Sequence, residues 1–307
     1  MLIDIHVHAS RIAGPTRPNG SRYPTPAELL AMMDAAGIDR AVLLSTVSPE
    51  CESCCVTPED VLEVCAAHPN RLIPFANVDP RMLENSPKSD FSGLLQHYKQ
   101  LGCKGIGEYI PNLPFDDPLN MNVFRHVEAA GLPLTFHIAP RIGGCYGCVD
   151  ELGLPRLERV LKACPHLVLL GHSQPFWAEI GDNVTEHNRS DYPKGPVKPG
   201  RLIQLMRDYP NLRGDLSAES GYNAISRDPE FGYRFLEEFQ DRLYFGTDIA
   251  NVPQELPIVS YFRSLEQEGR ISASAYEKIA WRNAVALLGL EPAGADSGGS
   301  AERRTGP

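Results

Sequence analysis

A single (β/α)8 barrel is the fold this sequence predicts, on three observations. Short apolar segments alternate with segments of helical pattern, and parallel neighbours in a sheet need such crossovers. Eight of the apolar segments fall within about 250 residues, the length of a closed barrel. The first of them is followed by a polar loop without the glycine-rich fingerprint of an open, doubly wound sheet.

Each element has a local reason. In "MLIDIHVHAS", Leu2, Ile3 and Ile5 build the first strand. "TPAELLAMMDAAG" is a helix with Thr25 as cap, Pro26 in its first turn, Glu28 completing a capping box and Gly37 as stop. "RAVLLST" is a buried strand, and "TPEDVLEVCAAHP" repeats the Thr-Pro start at Thr57 and Pro58. The alternation continues with strands in "RLIPFANV", "KGIGEYI", "LPLTFHI", "HLVLLGH", "LRGDLS" and "RLYFGTD". Between them lie helices in "DFSGLLQHYKQLG", "PLNMNVFRHVEAAG", "LPRLERVLKACP", "PGRLIQLMRDYP" and "DPEFGYRFLEEF". A last helix, "SASAYEKIAWRNAVALLGL", carries Tyr276, Ile279, Ala280, Ala284, Leu287 and Leu288 at helical spacing and is expected to pack outside the barrel. One domain over residues 1–290 and a small, polar, disordered tail over 291–307 are therefore expected. Two connections, about 139–152 and about 173–197, are longer than barrel loops need to be, which marks them for function.

Composition excludes several classes of partner. A net charge of −10 and no basic stretch argue against nucleic acid or an acidic membrane surface. No apolar run approaches membrane-spanning length and the N-terminal stretch has no leader pattern, so a cytoplasmic protein is expected, with homo-oligomerisation left open. In that compartment the eight cysteines are thiols. Cys65, Cys103 and Cys164 read as core residues. Cys51 with Cys54, and Cys145 with Cys148, form two C-x-x-C pairs in loops, either unligated or a four-thiolate metal site.

Barrel chemistry sits at the C-terminal ends of strands, and those positions hold metal-binding residue types. Alternate side chains of a strand share a face, so His6 and His8 project together from the first strand. Glu108 ends the fourth strand, His137 the fifth, His172 the sixth and Asp248 the eighth. Imidazole and carboxylate suit zinc, or manganese, as one ion or two. Singly, each residue has a plain structural reading; together at one mouth they read as a metal centre.

On "DIHVH", "HPNRLIPFANVDP", "GLPLTFHI", "LVLLGHS" and "LYFGTDI", the sequence resembles the amidohydrolase superfamily, in its amidohydrolase-related, decarboxylase-like branch, from residue 2 to about 290. The resemblance implies a metal held by His6, His8, His137 and Asp248, with His172 a second-metal ligand or a catalytic histidine. Many binuclear members bridge two metals with a carboxylated lysine ending strand four. Here Lys104 lies at the wrong end of that strand and Glu108 occupies the position.

Such a site would activate water, with Asp248 as proton carrier and His172 polarising a substrate carbonyl. Asp215 and Asn251 would orient ligand side chains. Arg11 and Arg141 follow metal-bearing strands and could grip a substrate carboxylate, and Trp177 with Phe176 either walls the pocket or packs beneath the loop. The expected activity is hydrolysis of a small amide, lactone or ester, probed against two alternatives: non-oxidative decarboxylation of a small acid, and ligand binding without catalysis.

Overall fold

The structure, a computed structural model, describes residues 1–17, 20–50 and 54–291. The strands are β1 (Ile3–Val7), β2 (Arg40–Leu43), β3 (Leu72–Pro74), β4 (Ile106–Tyr109) and β5 (Leu134–Ala139), then β6 (Cys148–Val149), β7 (Leu169–His172), β8 (Leu212–Asp215) and β9 (Leu243–Tyr244). All pair in parallel, in the orders β1-β2-β3 and β4-β5-β7-β8-β9. β6 is a short addition beside the end of β5.

Two seams close these sheets into one ring. At the first, Ala76 N–H donates to Gly105 O (3.0 Å) and Gly107 N–H to Ala76 O (2.8 Å), joining β3 to β4. At the second, Ile5 N–H donates to Phe245 O, Asp248 N–H to His6 O and His8 N–H to Ile249 O, at 2.8–2.9 Å, joining β9 and the segment after it to β1. Eight strands therefore form the expected barrel.

The helices are α1 (Pro26–Ala36), α2 (Pro58–Ala67), α3 (Ser92–Gln100), α4 (Pro118–Ala130), α5 (Pro155–Ala163), α6 (Gln174–Ala178) and α7 (Arg201–Asp208). They continue with α8 (Ala218–Ser226), α9 (Pro229–Glu238), α10 (Pro257–Gln267), α11 (Ala273–Glu277) and α12 (Asn283–Leu288). Both Thr-Pro starts form complete capping boxes, Thr25 with Glu28 and Thr57 with Asp60. Asp117 and Asp228 cap α4 and α9 more simply, their side chains accepting from Leu119 N–H and Phe231 N–H, each with proline next.

The sequence reading omits α6, α8 and α10. α8 is built on "AESGYNAIS", whose serines, glycine and asparagine are weak helix formers, and it forms because Gly221, Ala224 and Ile225 are buried. The segment expected as one last helix is interrupted by a π-helical turn over Lys278–Arg282. There the Ile279 carbonyl accepts the Phe245 N–H (3.0 Å), tying the segment to the end of β9. The expected tail beyond residue 291 lies outside the described residues, as does Cys51.

Most helix-facing side chains form one large core. A second buried cluster contains Ile3 and Ile5 from β1, with Val42, Ile73, Leu170 and Tyr244 from other strands, and it is completed by Ala284 and Leu288 of α12. The last helix thus runs outside the strands and supplies part of the cluster that underlies the mouth. Gly171 makes a different fit: a Cβ there would lie 2.1 Å from Phe176 Cζ, so glycine lets the α6 aromatic rest on β7 beside His172.

Leu288→Ala should cost about 2–5 kcal/mol, the range for truncating a fully packed leucine. Urea unfolding checks this; a loss below about 1 kcal/mol would show that α12 adds little to the barrel.

Candidate metal centre

β1 brings its two histidines together. His6 is fully buried and His8 nearly so, and their Nε2 atoms stand 3.0 Å apart. His6 Nδ1 lies 2.6 Å from Asp215 Oδ2 at the end of β8. A carboxylate only accepts, so in the neutral ring the imidazole proton sits on Nδ1 and the His6 Nε2 lone pair faces the mouth. Asp248 Oδ1 completes the group, 3.6 Å from His6 Nε2 and 3.5 Å from His8 Nε2. Asp248 reaches this position from a left-handed backbone (φ 55°), which aspartate tolerates better than most residues.

Glu108, from β4, stands between two halves of the site. Its Oε2 is 3.4 Å from His8 Nε2 and 3.7 Å from His6 Nε2. Its Oε1 is 2.8 Å from His137 Nδ1 and 4.0 Å from His172 Nε2. Asp248 divides itself similarly, its Oδ2 lying 3.8 Å from His172 Nε2. The donors thus fall into two adjoining groups with Glu108 and Asp248 shared between them.

These spacings fit a metal better than a hydrogen-bond network. Ligands about 2.0–2.2 Å from a tetrahedral ion lie roughly 3.3–3.6 Å from one another. The carboxylate-to-imidazole separations around His6 and His8, 3.4–3.7 Å, are of that size and too long for direct hydrogen bonds. His8 Nδ1 is buried without a hydrogen-bond partner, so its imidazole is oriented by ring packing on Tyr23 at 5.5 Å.

Electrostatics agree. Burial disfavours a charged His6, yet the carboxylates of Asp215 and Asp248 outweigh it and hold its pKa well above the ordinary histidine value. Burial also works against Glu108 and Asp215; contacts from His137, His6 and His8 hold the first well below the usual carboxylate range, and His6 lowers the second. Carboxylates here exceed what the imidazoles neutralise, and the pocket favours a cation. A metal would displace a proton from His6, so affinity should fall as pH falls. Burial and the nearby His6 push His172 down to about 4, leaving it neutral near pH 7. Its Nδ1 lies 2.9 Å from Ser217 Oγ.

A family model described as Amidohydrolase matches residues 3–290. The chain belongs to the amidohydrolase family. Among solved structures it is similar to an uncharacterized TIM-barrel protein from Bordetella bronchiseptica, at 19% identity and TM-score 0.63 over 94% of this chain and 98% of that one. It is also similar to a probable 2-pyrone-4,6-dicarboxylic acid hydrolase from Acinetobacter baumannii with citric acid bound, at 16% identity and TM-score 0.60 over 94% and 99% of the two chains. A third is 5-carboxyvanillate decarboxylase from Sphingomonas paucimobilis, at 18% identity and TM-score 0.58 over 94% and 99%. At such identities the likeness to these structures is one of fold. No curated protein sequence matches the chain.

Against this frame of an amidohydrolase barrel, the remaining sequence candidates separate. Arg141 is exposed and lines a cavity of about 620 Å³ beside His137. Arg11 does not join the site: its side chain is 47% exposed and pairs with Asp60 (2.9 Å) and Glu63 (3.6 Å) of α2. Trp177 is not a pocket wall either. It is buried beneath the sixth loop against Phe176, with its indole N–H donating to Asp215 O (2.9 Å), so it supports the carboxylate that orients His6. Asn251 lines the mouth and bonds Ser21 (2.5 Å) and Arg17. Cys148 is core, and among the described residues no metal-type cluster contains a cysteine.

Sequence reading missed four contributors. Ser217 orients His172, and Thr247 donates through N–H (3.0 Å) and hydroxyl to the buried Asp4, pinning the segment that carries Asp248 to β1. Arg17 lies over the Tyr23 ring at 4.5 Å in the cavity beside His8. Tyr146 packs tilted against the His137 ring at 4.7 Å. It stands in the "CYGC" segment, where attention to the cysteines hid the aromatic between them.

Glu108→Gln removes charge with little change of shape. Metal content measured by elemental analysis should fall below that of the parent protein, with circular dichroism unchanged; parent-like metal content and turnover would reduce Glu108 to a charge on the rim.

Proposed function

We propose that this protein is a metal-dependent hydrolase acting on a small, carboxylate-bearing amide, lactone or ester. The observation that carries the reading is the convergence of His6 Nε2, His8 Nε2, Asp248 Oδ1 and Glu108 Oε2 within 3.0–3.7 Å in the pairs they form with the two histidines. His6, His8 and Asp248 would hold the first ion, Glu108 would bridge, and His137 with His172 would hold a second. Zinc suits this nitrogen and oxygen set, and manganese is the second choice. When bound, such an ion supplies Lewis-acid polarisation and lowers the pKa of water to about 7.

The chain's own groups then move the protons. Asp248, with its side chain 25% exposed, takes the proton of the attacking water and delivers it to the departing nitrogen or oxygen. His172 has two uses. With the Ser217 hydroxyl donating to Nδ1, its Nε2–H points to the mouth and can donate to a substrate carbonyl oxygen; in the other tautomer Nε2 is a ligand. Arg141 offers the cation for a substrate carboxylate. Support for an acid substrate comes from the similar structure that holds citric acid.

Non-oxidative decarboxylation of a small acid is the second reading. It is favoured by the pairing of Asp248 Oδ2 with His172 Nε2 at 3.8 Å, a proton donor pair able to protonate carbon as CO₂ leaves. Release of acid without CO₂ separates hydrolysis from it. Small molecules, not nucleic acid, are the partners in either case, and the free cysteines among the described residues fit the cytoplasm.

Protein purified without chelator should carry at least about one equivalent of zinc or manganese, lost in His6→Ala. Metal below about a tenth of an equivalent in both would remove the metal reading. Asp248→Asn should lower turnover at least about 100-fold, the usual loss for a missing general base, with metal still held by the histidines. Near-normal turnover in an amide, lactone and carboxylic-acid screen would transfer the proton role to His172.

A further inference from the structure

Besides the small cavity at His8 and Glu108, two larger chambers open on the metal ligands. The first, about 620 Å³, is lined by His137, Tyr146 and Gln174 together with Arg141, Ser190 and Glu50. The second, about 390 Å³, is lined by the same His137, Tyr146 and Gln174 together with Asp248, Glu219 and Glu255. The shared residues form the partition. Tyr146 packs tilted against the His137 ring at 4.7 Å, and Gln174 Nε2–H donates to the Tyr192 hydroxyl at 3.2 Å, extending the wall outward. Gly147 holds Tyr146 in place: its φ of +105° and its approach to His137, where a Cβ would lie 2.8 Å from the carbonyl oxygen, admit no side chain.

The chambers differ in charge. In the first, Glu50 is held by two hydrogen bonds from Arg81 at 2.6 and 2.7 Å, whereas the Arg141 side chain has no acid or acceptor among the described residues. Arg81 also pairs with Asp79 (2.7 Å), so the cation on that wall left to meet a substrate is Arg141. In the second, Glu219 and Glu255 have no cationic partner among the described residues. Glu219 lies close enough to Tyr192 to act on its hydroxyl, which places its charge beside the partition. Tyr192, Tyr222, Asn251 and Gln254 supply further polar groups on this side.

We propose that the substrate is bipolar and spans the partition, with a carboxylate-bearing acyl portion against Arg141 and an amine-bearing leaving group against Glu219 and Glu255. This names the substrate class for the hydrolase reading and rests on it. The bond to be broken then lies at His137, where both chambers meet the metal ligands. For an amide, the water oxygen forms the new bond to the acyl carbon and the carbon–nitrogen bond breaks. The proton taken by Asp248 passes to the departing nitrogen, leaving an acid in the first chamber and an amine in the second.

Binding and turnover test this separately. Calorimetric titration of the zinc-loaded full chain with aminohexanoate, hexanoate and hexylamine should give about two- to fivefold tighter binding of the two-ended molecule, the size expected of one added exposed ion pair. Arg141→Ala should bring aminohexanoate to the level of hexylamine, and Glu219→Gln with Glu255→Gln to the level of hexanoate. Equal affinity for all three, or a preference untouched by these exposed substitutions, would overturn the proposal. In the turnover arm, the glutaryl amide of diaminobutane is compared with the butyryl amide of butylamine. Two-ended binding without hydrolysis of either amide keeps the chambers and removes the hydrolase reading. Equal kcat/KM for the two amides keeps the hydrolase and overturns the bipolar substrate.

Discussion

A buried contact between the first and seventh barrel strands sets the rest of the site: His6 Nδ1 donates to Asp215 Oδ2 at 2.6 Å, both side chains inaccessible to water. It decides which His6 nitrogen carries the proton, and with that which one can meet a cation. Burial of both partners makes the contact costly to break, because either group alone would be left charged or unpaired. Asp215 is in turn held by Ser217 N–H, and its carbonyl receives the Trp177 indole. The long sixth loop therefore supports a metal ligand that belongs to the start of the chain.

Legibility in the sequence followed periodicity. His6, His8, Glu108, His137, His172 and Asp248 end apolar strands, and in a closed barrel strand ends converge without further information, so one-dimensional pattern was enough to gather them. What escaped was settled by neighbours distant in sequence. Arg11 and Arg141 are alike as loop arginines after metal-bearing strands. The acids Asp60 and Glu63 on α2 draw one away, and among the described residues no such acid meets the other. Trp177 is buried because Gly214 leaves room for its ring against β8; a Cβ there would lie 2.8 Å from the indole. Ser217, Thr247 and Tyr146 act through loop conformation, which has no period to read. The helices α8 and α10 were hidden for a related reason, their cohesion coming from burial against neighbours more than from helix-forming residues.

The site also shows how a parallel barrel handles charge. Several carboxylates and imidazoles are collected at one end, where backbone from many strands can present them, while the interior below them is apolar and shared with α12. Such a division keeps the cost of burying charge confined to the place where a cation can offset it.

The second seam has a consequence in time. β1 leaves the ribosome long before its partners, since the strand that closes against it spans residues 243–244 and the helix that completes its buried cluster spans residues 283–288. At about 5–20 residues per second, synthesis of the intervening chain takes roughly 10–60 seconds. Through that interval His6 and His8 have neither Asp215 nor Asp248 beside them, and β1 has one open edge. A chain stopped short of residue 248 would expose that edge and lack Asp248, the carboxylate that joins His6 and His8 in the first ion site, so reactivity toward metal is postponed until the eighth barrel strand has emerged.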